Sequence, residues 1–111
     1  MVHAFTKVIL CVILDLGETM RVEWDDNKNR INRKKHGISF ETAAYVFLDE
    51  YRFEELDESH STEELRYITI GKVHNVIFVV YTQRGDTSRL ISARAATPKE
   101  RSIYYGQFDD P

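Results

Sequence analysis

The chain has 111 residues, 42% hydrophobic and 30% charged, with a net charge of −3 and one cysteine, Cys11. That length supports one domain with a modest core and excludes a deep two-domain cleft, and no segment is biased enough to suggest disorder. A lone cysteine excludes an internal disulfide, no Cys/His spacing fits a zinc site, and a reducing cytoplasm suits the composition best.

The opening run MVHAFTKVILCVILDLGETM contains an apolar stretch, Val8–Leu14, of seven residues. A membrane-spanning helix needs ~20, and the cleavage site of a secretory signal is not evident. No membrane contact is expected. The β-branched residues here would suit a strand. The preferred reading instead starts the protein at Met20, with 1–19 as an N-terminal extension of uncertain status and 20–111 as a single domain.

After Met20 the run RVEW reads as a short strand. Asp25 caps a helix to about His36, ended by Gly37 in the left-handed conformation, with Lys34, Lys35 and His36 complementing its dipole. Its apolar stripe is thin, with Ile31 inside it and Trp24 just before it. Ser39 caps a second helix, FETAAYVFLD, in which Phe40, Ala43, Ala44 and Phe47 form one apolar face. YRFEELDE suits a short strand and SHSTEEL a loop or brief helical turn.

RYITIG alternates as a strand, NVIFVVYTQ is apolar on both faces like a covered central strand, and TSRLISARAA is a third. Short links between them favour an antiparallel meander. Thr97-Pro98-Lys99-Glu100 starts a last helix through a capping box. The expected fold class is α+β: two N-terminal helices, a three- to four-stranded antiparallel sheet and a C-terminal helix.

Charge is uneven along the chain. Residues 21–36 carry six Lys and Arg against three carboxylates, whereas 49–64 carry eight carboxylates against Arg52 alone. Basic residues return at Arg84, Arg89, Arg94, Lys99 and Arg101. Two basic segments around an acidic one can meet a polyanion, though solvated helix faces have the same pattern.

Alternation in TSRLISARAA puts Leu90, Ser92 and Arg94 on one face, with Arg89, Ile91 and Ala93 on the other, taken as core. Arg66 opens one strand and Arg84 closes the next, so Arg66, Arg84 and Arg94 are candidates to converge at one rim, where planar guanidinium forks suit phosphate. Each equally suits a strand-end cap or a partner for the acidic segment. His36 and His60 are proton-transfer candidates, with a helix end and a loop hydrogen bond as the plainer readings. Glu64 and Lys35 join them if their surroundings shift their titration. Tyr81 is a base-stacking candidate or a core residue.

The ordered combination of KHGISFE, VVYT-RG and ISAR is similar to the BrnT toxins of bacterial type II toxin–antitoxin systems. The likeness begins at Trp24-Asp25, Lys28, Asn32 and Lys35-His36-Gly37. It continues through Asp49, Asp57, His60-Ser61, Glu64, Arg66, Arg84-Gly85, Arg89 and Ile91-Ser92-Ala93-Arg94 to Glu100 and Tyr104. It covers about 20–105 and leaves residues 1–19 outside.

The resemblance implies a RelE-like fold, growth arrest by RNA cleavage and a BrnA-type antitoxin, with operator DNA met only through the antitoxin complex. It implies a metal-independent endoribonuclease without cofactors. Arg66, Arg84, Arg94, Glu64 and His36 are then the catalytic candidates, and Lys35, Arg89, His60 and Tyr81 the RNA-binding ones. The alternative is a non-catalytic nucleic-acid- or protein-binding module, or a degenerate inactive toxin.

Overall fold

The computed structural model describes residues 7–13, 19–61 and 64–108. Strands β1 (Lys7–Ile13) and β2 (Thr19–Asp25) come first, then helices α1 (Asp26–His36) and α2 (Phe40–Ala43), the latter tightening into a 3₁₀ turn over Ala44–Leu48. Strand β3 (Phe53–Leu56), a short 3₁₀ turn (Glu58–His60), and strands β4 (Arg66–Val73), β5 (Asn75–Arg84) and β6 (Thr87–Ala95) lead to α3 (Pro98–Gly106).

The helix boundaries follow local chemistry. The Asp25 carboxylate accepts from Lys28 N, Gly37 ends α1 at φ 76°, and Ser39 accepts from Thr42 N at the start of α2. Thr97 and Glu100 form both halves of a capping box on α3, with Pro98 in its first turn.

The sheet departs from the expected three- or four-stranded antiparallel meander. Six strands run in the order β1-β2-β6-β5-β4-β3, and β2 lies parallel to β6 while the other pairs are antiparallel. The parallel contact joins residues more than sixty positions apart, which residue periodicity does not reveal. The two helices follow a strand pair rather than opening the fold, and the second is one α turn plus a 3₁₀ turn. The α+β class itself holds. Of the stretch read as an extension, 7–13 pair with β2 and 19 begins it; 1–6 and 14–18 lie outside the described residues.

One sheet face carries the main core. Val22, Trp24, Leu90, Ala93, Ile77, Val79 and Tyr81 pack against Phe40, Ala43, Ala44, Val46 and Phe47. The approach is close at Gly71, where an added Cβ would meet Val46 Cγ2 at 2.6 Å. On the opposite face α3 covers only one end, through Ile70, Val76, Ala96 and Tyr104. The rest of that face is open.

The side of α1 that faces the protein is polar. Asn29 and Asn32 are its buried residues, while Ile31 is 57% exposed. Asn29 accepts from Phe40 N and donates to Glu41, fixing the start of α2. Asn32 donates to Ala93 O at 2.9 Å and accepts from Ala93 N at 3.1 Å. Pairing between β2 and β6 covers only Thr87, Ser88 and Arg89 on β6. Asn32 therefore satisfies the edge of β6 where β2 no longer reaches it.

Candidate active site

Pairing of β5 with β6 slips between Val80 and Tyr81: Val80 faces Ser92 while Tyr81 faces Leu90. Ile91 is the extra residue of a bulge, a feature that re-aims side chains. Leu90 and Ala93 enter the core, and Ser92 and Arg94 emerge on the open face. Ile91 also lines the open face, which corrects its expected place in the core and parts Leu90 from Ser92.

Two adjoining hollows occupy that face. The larger, about 380 Å³, is lined by Asp57, His60, Arg66, Ile68, Phe78, Val80, Ile91, Ser92 and Arg94. The smaller, about 200 Å³, shares Ile91 and Ser92 and adds Lys28, Ile31, Asn32, Lys35 and His36 from α1. Together they make a trough from the last turn of α1 to the start of β4.

Arg94 lies over the Phe78 ring, 4.0 Å from its centroid, and forms a two-point bond with Glu100 at 2.7 and 2.9 Å. This fork raises the Arg94 pKa, with burial opposing it, and it outweighs burial in lowering that of Glu100. The guanidinium is permanently charged and held in one orientation.

Loop 57–61 is latched to the first residue of β4. Arg66 N donates to Ser61 Oγ at 2.9 Å, Ser61 Oγ donates to Asp57 O at 2.6 Å, and Asp57 N donates to Arg66 O at 2.8 Å. Within the loop, His60 Nδ1 lies 2.9 Å from Asp57 Oδ2, and Ser59 Oγ donates to Asp57 Oδ1. Burial works against ionisation of Asp57, but bonds from Ser59 and His60 and the charge of Arg66 hold its pKa below the ordinary value. An ionised Asp57 accepts a hydrogen bond from Nδ1–H, leaving Nε2 as the accepting nitrogen of the neutral imidazole.

Of the nine candidate residues, Arg66, Arg94 and His60 share the larger hollow, with Lys35 and His36 in the smaller one. Arg84 is not among the lining residues. It closes β5 and makes a loose, exposed pair with Glu64 at 3.5 Å, so the expected convergence of three arginines reduces to two. Arg89 projects on the same sheet face as Arg66 but is mostly buried beside Glu23 at 4.0 Å. Tyr81 is 6% exposed on the core face, stacked on Tyr67 and edge-on to Phe47, and is not placed to stack on a base. Burial, with Glu54 nearby, pushes its hydroxyl pKa well up.

Sequence reasoning missed Asp57 and Glu100 as the groups that orient His60 and Arg94. The spacing of Asp57 and His60, three apart, was a usable signal. Glu100 reads only as a capping-box residue until the fold brings β6 beside α3. Among the described residues no cluster of three or more His, Cys, Asp or Glu is placed to hold a metal ion. No helix among them is long and apolar enough to cross a membrane.

The family described as "Ribonuclease toxin, BrnT, of type II toxin-antitoxin system" matches residues 24–100. The crystal structure of the Brucella abortus ribonuclease toxin BrnT is similar at 26% identity and a TM-score of 0.51, covering 67% of this chain and 92% of that one. No curated protein matches the chain.

Proposed function

Because the chain belongs to the BrnT family of ribonuclease toxins of type II toxin–antitoxin systems, we propose that its trough binds RNA and breaks it without a metal ion. The Asp57–His60 pair beside Arg66 and Arg94 in one hollow carries this reading.

Arg66 and Arg94 hold the scissile phosphate and offset the charge developing on its free oxygens. His60 Nε2 takes the proton of the neighbouring 2′-hydroxyl as that oxygen attacks phosphorus. Asp57 fixes the ring tautomer and stabilises the imidazolium that forms, a role carboxylates play beside other catalytic histidines. The bond from phosphorus to the 5′ oxygen breaks, giving a 2′,3′-cyclic phosphate and a 5′-hydroxyl. His36 and Lys35, across Ser92, are the candidates to protonate the leaving oxygen. Glu64 and Arg84 act at most at the rim.

The neutralising partner in this reading is a BrnA-type antitoxin, which also brings the complex to operator DNA. The exposed acidic side chains Glu50, Glu55 and Glu58 would receive its basic residues.

The test compares wild type with His60→Gln, Asp57→Asn, Arg66→Ala and Arg94→Ala for growth arrest, cleavage of an oligoribonucleotide and RNA binding. His60→Gln is expected to cleave ~10²–10⁴-fold more slowly while keeping its affinity, and the arginine variants to lose both. Cleavage by His60→Gln at the wild-type rate would overturn the assignment. Binding by wild type without any cleavage would favour the non-catalytic module.

A further inference from the structure

A third hollow, of about 430 Å³, lies at the far end of the same sheet face, beside α3. Lys72, His74, Asn75, Arg101 and Tyr105 supply its polar and aromatic lining, and none of its lining residues is a carboxylate. The Lys72 ammonium sits 6.0 Å above the Tyr105 ring, which is 45% exposed. Arg101 is steadied by one bond to Ala96 O at 3.0 Å, which leaves most of its five donors for a ligand.

His74 is the only described non-glycine residue with positive φ, at 64°. It forms the one-residue link between β4 and β5, a conformation glycine adopts without strain. A histidine kept there presents its ring to the hollow at some cost in backbone energy.

We propose that this hollow is a second RNA-binding site, holding a single-stranded segment that extends beyond the cleavage trough. It rests on the ribonuclease reading for its ligand. Placement on the sheet supports it: the two hollows neighbour each other along β5 and β6, with Val76 and Ala96 buried under α3 where they meet. Val76 in this hollow is two residues from Phe78 in the trough on β5, and Ala95 follows Arg94 on β6. A strand that leaves the Arg94 end and passes α3 meets cationic groups for its phosphates and an aromatic face for a base, the usual pairing for sequence-tolerant single-strand binding. A polyanion suits the hollow, because its lining carries Lys72 and Arg101 and no carboxylate.

The experiment measures affinity of a cleavage-silenced full chain, His60→Gln, for a long oligoribonucleotide and for a short one sized to the trough, across a salt series. Adding Lys72→Ala and Arg101→Ala should weaken the long RNA roughly tenfold and flatten its salt dependence by about one to two charges. The short RNA should be unaffected. Tyr105→Ala should weaken the long RNA roughly fivefold or more. His74→Gly should lower its affinity while leaving Tm unchanged or higher, which a purely structural histidine would not do. Arg30→Ala with Lys34→Ala removes equal charge elsewhere on the surface. Equal weakening by that control, or unchanged long-RNA affinity in the Lys72/Arg101 variant, overturns the proposal. Because binding alone is read, a failure of cleavage in wild type is a separate result.

Discussion

Asn32 substitutes for a neighbouring strand at β6. Its side chain bonds both backbone groups of Ala93 and also donates to Ile38 O at 2.9 Å, so one amide closes the sheet edge and ties down the segment after Gly37. It is 6% exposed, so water cannot replace it cheaply. Asn32→Ala should leave buried backbone groups unpaired and cost about 2–4 kcal/mol, read by urea unfolding. Cleavage should fall with it, because Ala93 lies between Ser92 and Arg94. Stability equal to wild type would show that the edge is satisfied in another way.

Strand β1 poses the corresponding question at the scale of elements. It pairs with β2 over seven residues, from Lys7↔Asp25 to Ile13↔Thr19, whereas β2 meets β6 through only three. Without β1 the outer side of β2 would be an unpaired strand edge, which invites self-association. We propose that β1 is part of the working fold although the family match begins at residue 24. Deleting residues 1–18 should lower Tm by about 5 °C or more and raise the apparent mass in size-exclusion chromatography. An unchanged Tm and mass would favour the reading that begins the protein at Met20. Helix α3 is tied down differently. Tyr104 donates to Asp49 at 2.6 Å, and Asp49 also accepts from Lys72 N and Tyr51 N, so one carboxylate joins α3, β4 and the segment after α2.

For the molecule as a whole, three carboxylates are held more acidic than usual by their partners, which makes folding sensitive to acid. Burial opposes ionisation of Asp49, but the Tyr104 hydroxyl, the Lys72 and Tyr51 amides and Arg52 lower its pKa below 3.8. Glu100 lies below 4.5, chiefly through Arg94, and Asp57 is lowered by the contacts described above. A carboxylate more acidic in the folded state stabilises it above the unfolded pKa, and that contribution is lost as pH falls through the folded value. Tm should therefore be level near neutrality and drop in the acid range below about pH 4. Asp49→Asn with Glu100→Gln should lower the neutral plateau and flatten the acid drop. A drop as steep as in wild type would assign acid sensitivity to other groups.

Local chemistry alone determined much of this protein. The caps at Asp25, Ser39 and Thr97, the helix-ending Gly37 and the three long strands of the second half depend on neighbours a few residues away, and the sequence displays such neighbours directly. Strand ends and alternation likewise suggested Arg66, Arg84 and Arg94 for one rim, and of these Arg66 and Arg94 line one hollow. Only the tertiary structure decided the rest. The β2–β6 contact, the Asn32–Ala93 bridge sixty-one positions apart and the Arg94–Glu100 fork join groups from different elements. The bulge at Ile91 puts Leu90 in the core and Ile91 on the open face, opposite to simple alternation back from Ala93, because one extra residue shifts a period-two pattern by a whole face. Tyr81 lies inside because it pairs with Tyr67 on the core face, and Arg84 lies beyond the trough because β5 runs past the start of β4 at Arg66; both are set by register, which is a property of pairs of strands rather than of either strand alone.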